Sequence, residues 1–135
     1  MSWIRSRTFA LMAGTLGLAA VLGGSLGLAA AGTRPSLVAG VNPTVGGPLS
    51  EQLSPATWVK CLPASSWASL YVWDAPNQRW LHYFNTAASG VPAYVNNSSV
   101  NGISSIPRFA GVAVIMNSAV SNPFFPDKAT DACPP

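Results

Sequence analysis

The chain has 135 residues, and its seven basic and four acidic side chains give a formal net charge of +3. The basic residues are scattered, which excludes a nucleic-acid-binding protein because such proteins carry a clustered basic patch. Four carboxylates and one histidine are also a thin supply of groups for an enzyme.

The first 31 residues have the organisation of a secretory signal peptide. Arg5 and Arg7 precede an uncharged stretch, residues 8–33, that ends in small residues. A basic start, an apolar middle and an Ala-x-Ala exit define such signals. Ala29 and Ala31 fit the exit, so we predict cleavage after Ala31. The alternative is an uncleaved anchor, because the uncharged span exceeds the ~20 residues that cross a bilayer.

Either outcome exports the rest of the chain, so we expect a secreted or cell-surface protein that meets the membrane only through its N-terminal segment. Residues 32–135 have the length of one small domain. Without the leader, the chain has five basic and four acidic residues, and its net charge falls to +1.

Residues 32–50 predict an extended lead-in segment, because they are rich in Gly, Pro and Ser and nearly uncharged. One short strand is expected there, around residues 37–41. The alternation in ATWVKCL predicts a strand over residues 57–62, and PASSWA predicts a turn or a single helical turn. The β domain is predicted to span residues 51–135, including its proline-rich tail.

The segments SLYVW and RWLHYF predict a β-hairpin, since both are rich in aromatic and branched residues. Between them, Pro76 and Asn77 suit the central positions of a turn. A four-residue loop over residues 75–78 fixes three facing pairs: Asp74 with Arg79, Trp73 with Trp80, and Tyr71 with His82.

This pairing sorts the hairpin side chains onto two faces, because side chains alternate across a strand. One face holds a core set, Leu70, Val72, Leu81 and Tyr83. The other face holds what we call the aromatic strip, Tyr71, Trp73, Trp80 and His82. A slip of one residue would mix the two sets.

Later segments continue the β pattern. VPAYVN predicts a short extended piece, and NNSSVNGISSIP predicts a polar loop or a one-turn helix. FAGVAVIM is the most strand-like run, with Gly111 expected at a bulge or close approach. If this strand lay at an edge, it would be a candidate for strand addition. The fold expected is mainly β, a small antiparallel sandwich or partly open barrel after an N-terminal helical signal segment.

Two cysteines, Cys61 and Cys133, predict a disulfide in an exported chain. The bond would close a loop of roughly seventy residues, worth about 4 kcal/mol in the chain-entropy model. Two free thiols are the alternative. Two cysteines and one widely spaced histidine form no recurring metal-ligand pattern, so neither a metal nor a cofactor is expected.

No catalytic residue is predicted. A hydrolase triad would need His82, but residues 32–135 contain no G-x-S-x-G nucleophile turn. We expect His82 to be a hydrogen-bonded hairpin residue. The four carboxylates are too dispersed to indicate a glycosidase pair. They are Glu51, Asp74, Asp127 and Asp131.

A binding function is harder to exclude. Trp and Tyr rings can cover the flat apolar face of a sugar while their polar tips stay wet. The same rings could instead fill the core, or form a contact face for another surface protein. The candidate ligand-binding residues are Tyr71, Trp73, Trp80, His82 and Tyr94. The side chains near enough to bond sugar hydroxyls are Asp74, Asn77, Gln78 and Arg79.

The order of landmarks over residues 40–120 resembles a small β-module of secreted and cell-surface bacterial proteins. The hairpin landmarks are Tyr71, Trp73, Asp74, Trp80 and Tyr83. The landmarks of the middle segment are Pro92, Asn96, Val100 and either Ile103 or Ile106, and residues 111–116 stand for the closing strand. That strand lacks the aromatic residue usual after its glycine, and the cysteine pair and proline-rich tail also depart from the pattern.

The resemblance implies a noncatalytic extracellular module. We therefore expect a structural, adhesion or recognition module, with polysaccharide or another surface protein as the partner. The alternative is a carbohydrate-binding module that uses the aromatic strip. Sequons at Asn96 and Asn97 matter only in hosts that glycosylate asparagine.

Overall fold

The computed structural model describes residues 36–135, so the predicted signal peptide, with Ala29 and Ala31, lies outside the described residues. The described strands are β1 (Gly40–Gly46), β2 (Trp67–Asp74), β3 (Arg79–Phe84) and β4 (Gly111–Met116). The helices are α1 (Pro55–Trp58), α2 (Thr86–Ser89) and two 3₁₀ helices (Ala93–Asn96 and Ser98–Val100). None of these helices has the length and apolarity to span a bilayer.

The four strands form one antiparallel sheet in the order β1-β4-β2-β3. The expectation of a mainly β fold is therefore confirmed. The β2–β3 hairpin has the predicted register, with three facing pairs: Asp74 with Arg79, Trp73 with Trp80, and Tyr71 with His82. The first pair is an ion pair, with Arg79 Nε 3.2 Å from the carboxylate of Asp74.

One face of the sheet is buried in the core, and it includes the predicted core set. Leu70 and Val72 are buried, and Leu81 and Tyr83 pack against the core from β3. Outside the strands, the core is completed by α1 and by irregular segments that two isolated bridges join, Leu37–Val120 and Leu53–Ile106. The residues outside the strands that enter the core include Leu37, Leu53, Trp58, Ile103, Ile106 and Phe125.

The prediction of a strand over residues 57–62 is wrong, because helix α1 begins just before this segment and includes its first residues. Ser54 caps α1 by accepting a hydrogen bond from Thr57 N at 3.1 Å, and Pro55 occupies the start of the helix. Both are strong local helix-start signals. They outweigh the alternation in ATWVKCL, and the single turn of helix buries Trp58.

Two other local predictions are corrected by the structure. The segment VPAYVN contains a 3₁₀ helix instead of an extended piece. The first strand spans residues 40–46, not 37–41, since its pairing with β4 continues to Gly46. Of the two alternatives predicted for NNSSVNGISSIP, a polar loop or a one-turn helix, the structure shows the one-turn helix, which is the second 3₁₀ helix.

The predicted strand β4 is confirmed, but it lies between β1 and β2 and is not an edge strand. The suggested strand-addition role is therefore wrong, since both of its edges are already paired. Gly111 is neither a bulge nor a close approach, because it pairs in register with Gly46 and has open space where a Cβ would lie. A close approach beside this strand is instead at Gly47, where a Cβ would lie 2.9 Å from Ala110 O.

The outer edge of β3 is closed by a loop and a side chain. His82 N donates to Asn101 O at 2.9 Å, and Ile103 N donates to His82 O at 2.8 Å. Asn96 Oδ1 accepts from Phe84 N at 2.7 Å, and Asn96 Nδ2 donates to Phe84 O at 2.9 Å. These bonds satisfy backbone groups that an open edge would offer to another chain.

We expect Asn96→Ala to lower the free energy of unfolding by about 1–3 kcal/mol, because it leaves a partly buried N–H and C=O of Phe84 without partners. Asn97→Ala is the matched control, since the Asn97 side chain makes no hydrogen bond to the described residues, and it should cost under about 0.5 kcal/mol. Equilibrium denaturation measures both. Equal losses for the two variants would contradict the proposed edge-closing role.

The predicted disulfide is confirmed, with Cys61 and Cys133 joined at 2.03 Å. No helix or strand follows β4 in the described tail. Asp127 accepts hydrogen bonds from Leu49 N and from the backbone and hydroxyl of Ser50. Asp131 accepts from Asp127 N at 2.8 Å and from Lys128 N at 2.9 Å, and these bonds hold the pKa of its carboxyl below the ordinary value. The tail is thus irregular but anchored.

Candidate functional site

The face of the sheet opposite the core carries the aromatic strip. Facing residues of an antiparallel pair lie on the same side of the sheet, and β4 adds Ala113, which faces Tyr71. Trp73 is 42% exposed and Trp80 is 54% exposed. Tyr71 and His82 are half-buried. The two tryptophans are therefore the accessible part of the strip.

Trp73 and Trp80 are cross-strand neighbours, with ring centroids 5.3 Å apart and ring planes inclined at 60°. This inclination makes the pair a wedge. A flat ligand cannot stack on both rings at once, so a flat two-ring platform for sugars is not what the hairpin presents. One ring can support a ligand while the other forms a wall beside it.

A groove of about 480 Å³ lies beside this pair, and we call it the tryptophan groove. It is formed where β2 ends, where β4 begins and where the register of β1 shifts between Asn42 and Val45. Its lining contains no charged side chain. The lining residues are Pro43, Thr44, Val72, Trp73, Trp80, Pro107, Ala110, Gly111 and Ala113.

The polar residues expected to help bind sugar hydroxyls are engaged with the hairpin turn. Asn77 Nδ2 donates to Asp74 Oδ2 at 2.8 Å, and this bond, followed by that from Arg79, holds the pKa of the Asp74 carboxyl below its ordinary value. Arg79 Nη1 donates to Asn101 Oδ1 at 2.8 Å, and Gln78 Nε2 donates to Ala75 O at 2.7 Å. These side chains stabilise the turn and are not part of the groove lining.

His82 is a hydrogen-bonded hairpin residue, as predicted. Its Nε2 lies 2.9 Å from Val95 O, and since a carbonyl oxygen only accepts, the ring nitrogen is the donor. The ring also packs on Phe84, with centroids 5.0 Å apart. His82 thereby ties the first 3₁₀ helix to β3.

The structure does not bring all five candidate ligand-binding residues together. Trp73 and Trp80 line the groove, Tyr71 and His82 continue the same face, and Tyr94 lies on the first 3₁₀ helix, 63% exposed and outside the groove lining. Of the four carboxylates, Asp74 lies in the hairpin, whereas Glu51, Asp127 and Asp131 bond backbone groups around the tail. Within residues 36–135, no cluster of His, Cys, Asp and Glu could hold a metal ion.

Seven lining residues were missed by sequence reasoning: Pro43, Thr44, Val72, Pro107, Ala110, Gly111 and Ala113. All of them except Val72 come from β1, from β4 or from the loop before β4, far along the chain from the hairpin. The prolines within β1 and before β4 were visible in the sequence, but their distance from the tryptophans depends on the order of the strands.

The chain was also compared with known proteins. It matches no family model, and neither the curated proteins nor the solved structures give a significant match. The function is therefore inferred from the geometry of the aromatic strip and its groove.

Proposed function

We propose that this protein is a noncatalytic recognition or adhesion module that binds its partner on the aromatic strip. The observation that supports this proposal is the exposure of two adjacent tryptophans, Trp73 and Trp80, beside an uncharged groove. Tryptophan is enriched among the residues that contribute most to binding interfaces. Core packing does not account for these two rings, because the core is formed on the opposite face of the hairpin, where Leu70 and Val72 are buried.

The proposed setting is the cell surface or the medium outside the cell. The Cys61–Cys133 disulfide supports it, because such bonds persist in oxidising compartments. The predicted leader at the N-terminus supports the same location.

A noncatalytic role is supported by how the ionisable groups are used. The Asp74 carboxylate pairs with Arg79, and the His82 ring bonds the Val95 carbonyl. Asp127 and Asp131 accept backbone N–H groups. Each of these side chains stabilises a turn, a loop or the tail, as a structural role requires.

The second candidate function is carbohydrate binding. The exposed ring of Trp80 favours it, because one sugar ring could stack there while Trp73 and Thr44 line the adjacent groove. The partner under the first proposal is another surface protein, and under the second it is a polysaccharide.

The finer architecture that we propose is a small sandwich or partly open barrel. The sheet would be one layer, and the segments bridged at Leu37–Val120 and Leu53–Ile106 would be the other. This arrangement would leave the aromatic strip on the outside of the first layer.

The proposal predicts that the purified full-length chain is retained by isolated cell-wall preparations or by at least one member of a polysaccharide panel. Trp73→Ala and Trp80→Ala should each weaken retention about tenfold, the loss expected for a central aromatic contact. Tyr94→Ala is the control, since it removes an even more exposed ring that lies outside the groove. Absence of retention, or equal retention by all three variants, would refute the proposal.

A further inference from the structure

The tryptophan groove selects against a charged ligand. None of its nine lining residues is charged, and the nearby Asp74 and Arg79 neutralise each other as an ion pair. A charged group placed in the groove would lose water without gaining an opposite charge, which is costly. The complementary ligand is uncharged along the length that occupies the groove.

The side chains that line the groove offer more hydrogen-bond donors than acceptors. The carbonyl of Ala110 accepts from Gly47 N at 2.7 Å, and that of Pro107 accepts from Ala110 N at 3.3 Å. In contrast, the indole N–H groups of Trp73 and Trp80 make no hydrogen bond to the described residues. Thr44 adds a hydroxyl that is likewise without a partner among residues 36–135. Among these side chains, only the Thr44 hydroxyl can also accept a hydrogen bond.

A ligand that matches this imbalance presents acceptors and few donors. Sugar hydroxyls are donors as well as acceptors, and each donor buried without an acceptor weakens binding. Proline-rich backbone differs, because proline has a carbonyl but no N–H. Its polyproline II form has no internal hydrogen bonds, so its carbonyls are free to accept.

The shape of the tryptophan pair fits the same ligand. A polyproline II helix has three residues per turn and therefore presents ridges, not a plane. Two rings inclined at 60° can contact both sides of such a ridge. Aromatic-lined grooves are a recurring site for segments of this kind, because the ligand is already ordered before it binds.

We infer that the tryptophan groove binds an uncharged, proline-rich peptide segment in the polyproline II conformation, carried by another surface protein. This inference rests on the proposed function, since it assigns a ligand class to the same face. Pyrrolidine rings contact Trp73 and Trp80, and peptide carbonyls accept from the indole N–H groups and from Thr44.

The test is a titration of the ¹⁵N-labelled full-length chain with a blocked octaproline peptide, followed by NMR of the indole N–H signals. We expect the signals of Trp73 and Trp80 to shift, and those of the buried Trp58 and Trp67 to stay in place. Trp73→Ala and Trp80→Ala should each weaken peptide binding about tenfold, whereas Tyr94→Ala should leave it unchanged. A blocked Gly-Ser octamer is the control peptide, and neutral oligosaccharides are the competing ligands.

Three outcomes would overturn the inference. The first is no shift of the Trp73 and Trp80 signals with octaproline. The second is an equal response to the Gly-Ser peptide. The third is a response to oligosaccharides alone, which would overturn the peptide inference while supporting the proposed function through its carbohydrate form. If the tryptophan variants lose cell-wall retention but the wild type does not bind octaproline, the proposed function is supported and the peptide inference is wrong.

Discussion

Replacement of Trp58 by alanine is expected to lower the free energy of unfolding by about 3–5 kcal/mol. The Trp58 side chain is fully buried at the end of α1, and its ring stacks on Phe125 at a centroid distance of 4.2 Å. Removing the ring leaves a cavity between the helix and the tail that the surrounding core can fill only in part. Equilibrium denaturation monitored by circular dichroism measures the loss.

Trp58→Phe is the matched control for this prediction. The buried Nε1–H of Trp58 has no hydrogen-bond partner among the described residues. Phenylalanine keeps an aromatic ring against Phe125 and removes that unpaired donor, so it should cost less than about 1.5 kcal/mol. If Trp58→Phe were as destabilising as Trp58→Ala, the indole N–H would have to contribute through a partner, and the packing explanation would be wrong.

Loss of the Cys61–Cys133 disulfide is expected to lower the free energy of unfolding by about 4 kcal/mol. The bond links positions separated by 72 residues, and cutting it increases the conformational entropy of the unfolded chain. The double variant Cys61→Ala, Cys133→Ala is compared with the wild type under non-reducing and reducing conditions. Intact mass under non-reducing conditions verifies the oxidation state.

The matched comparison is the wild type in reductant, which should approach the stability of the double variant. Neither cysteine lines the tryptophan groove, so the folded double variant should retain binding at low temperature. The tail also keeps noncovalent anchors, including the bond from Lys60 Nζ to Ala129 O at 2.9 Å. Equal stability of oxidised and reduced wild type would show that these anchors suffice and that the bridge adds little.

The hairpin and the disulfide could be predicted from the sequence because each depends on little else. Turn residues at 75–78, between two segments rich in aromatic and branched residues, set the pairing of Trp73 with Trp80 and of Asp74 with Arg79. A one-residue slip would have buried the wrong side of each strand. With two cysteines in the chain, a disulfide has one possible pairing. The predicted leader and its cleavage after Ala31 stay predictions.

The candidate site could be predicted only in part. Alternation placed Trp73 and Trp80 on one face, but it did not show whether that face would be covered. Coverage depends on which side of the sheet the lead-in, α1 and the tail pack against, and this choice is made by the summed burial of residues such as Leu53, Trp58 and Phe125.

Local sequence is enough to predict the hairpin register, the division of its side chains into two faces and the cysteines of the disulfide, because these follow from interactions between near neighbours or from a unique pair. Tertiary contacts decided that β4 lies inside the sheet and that Pro43 and Pro107 border the tryptophans. The helix at residues 55–58, in contrast, follows local signals at Ser54 and Pro55. The physical reason is the separation along the chain of the residues that make contact. Strand order and layer packing are set by contacts between segments far apart in the chain, and their energies depend on the whole core at once.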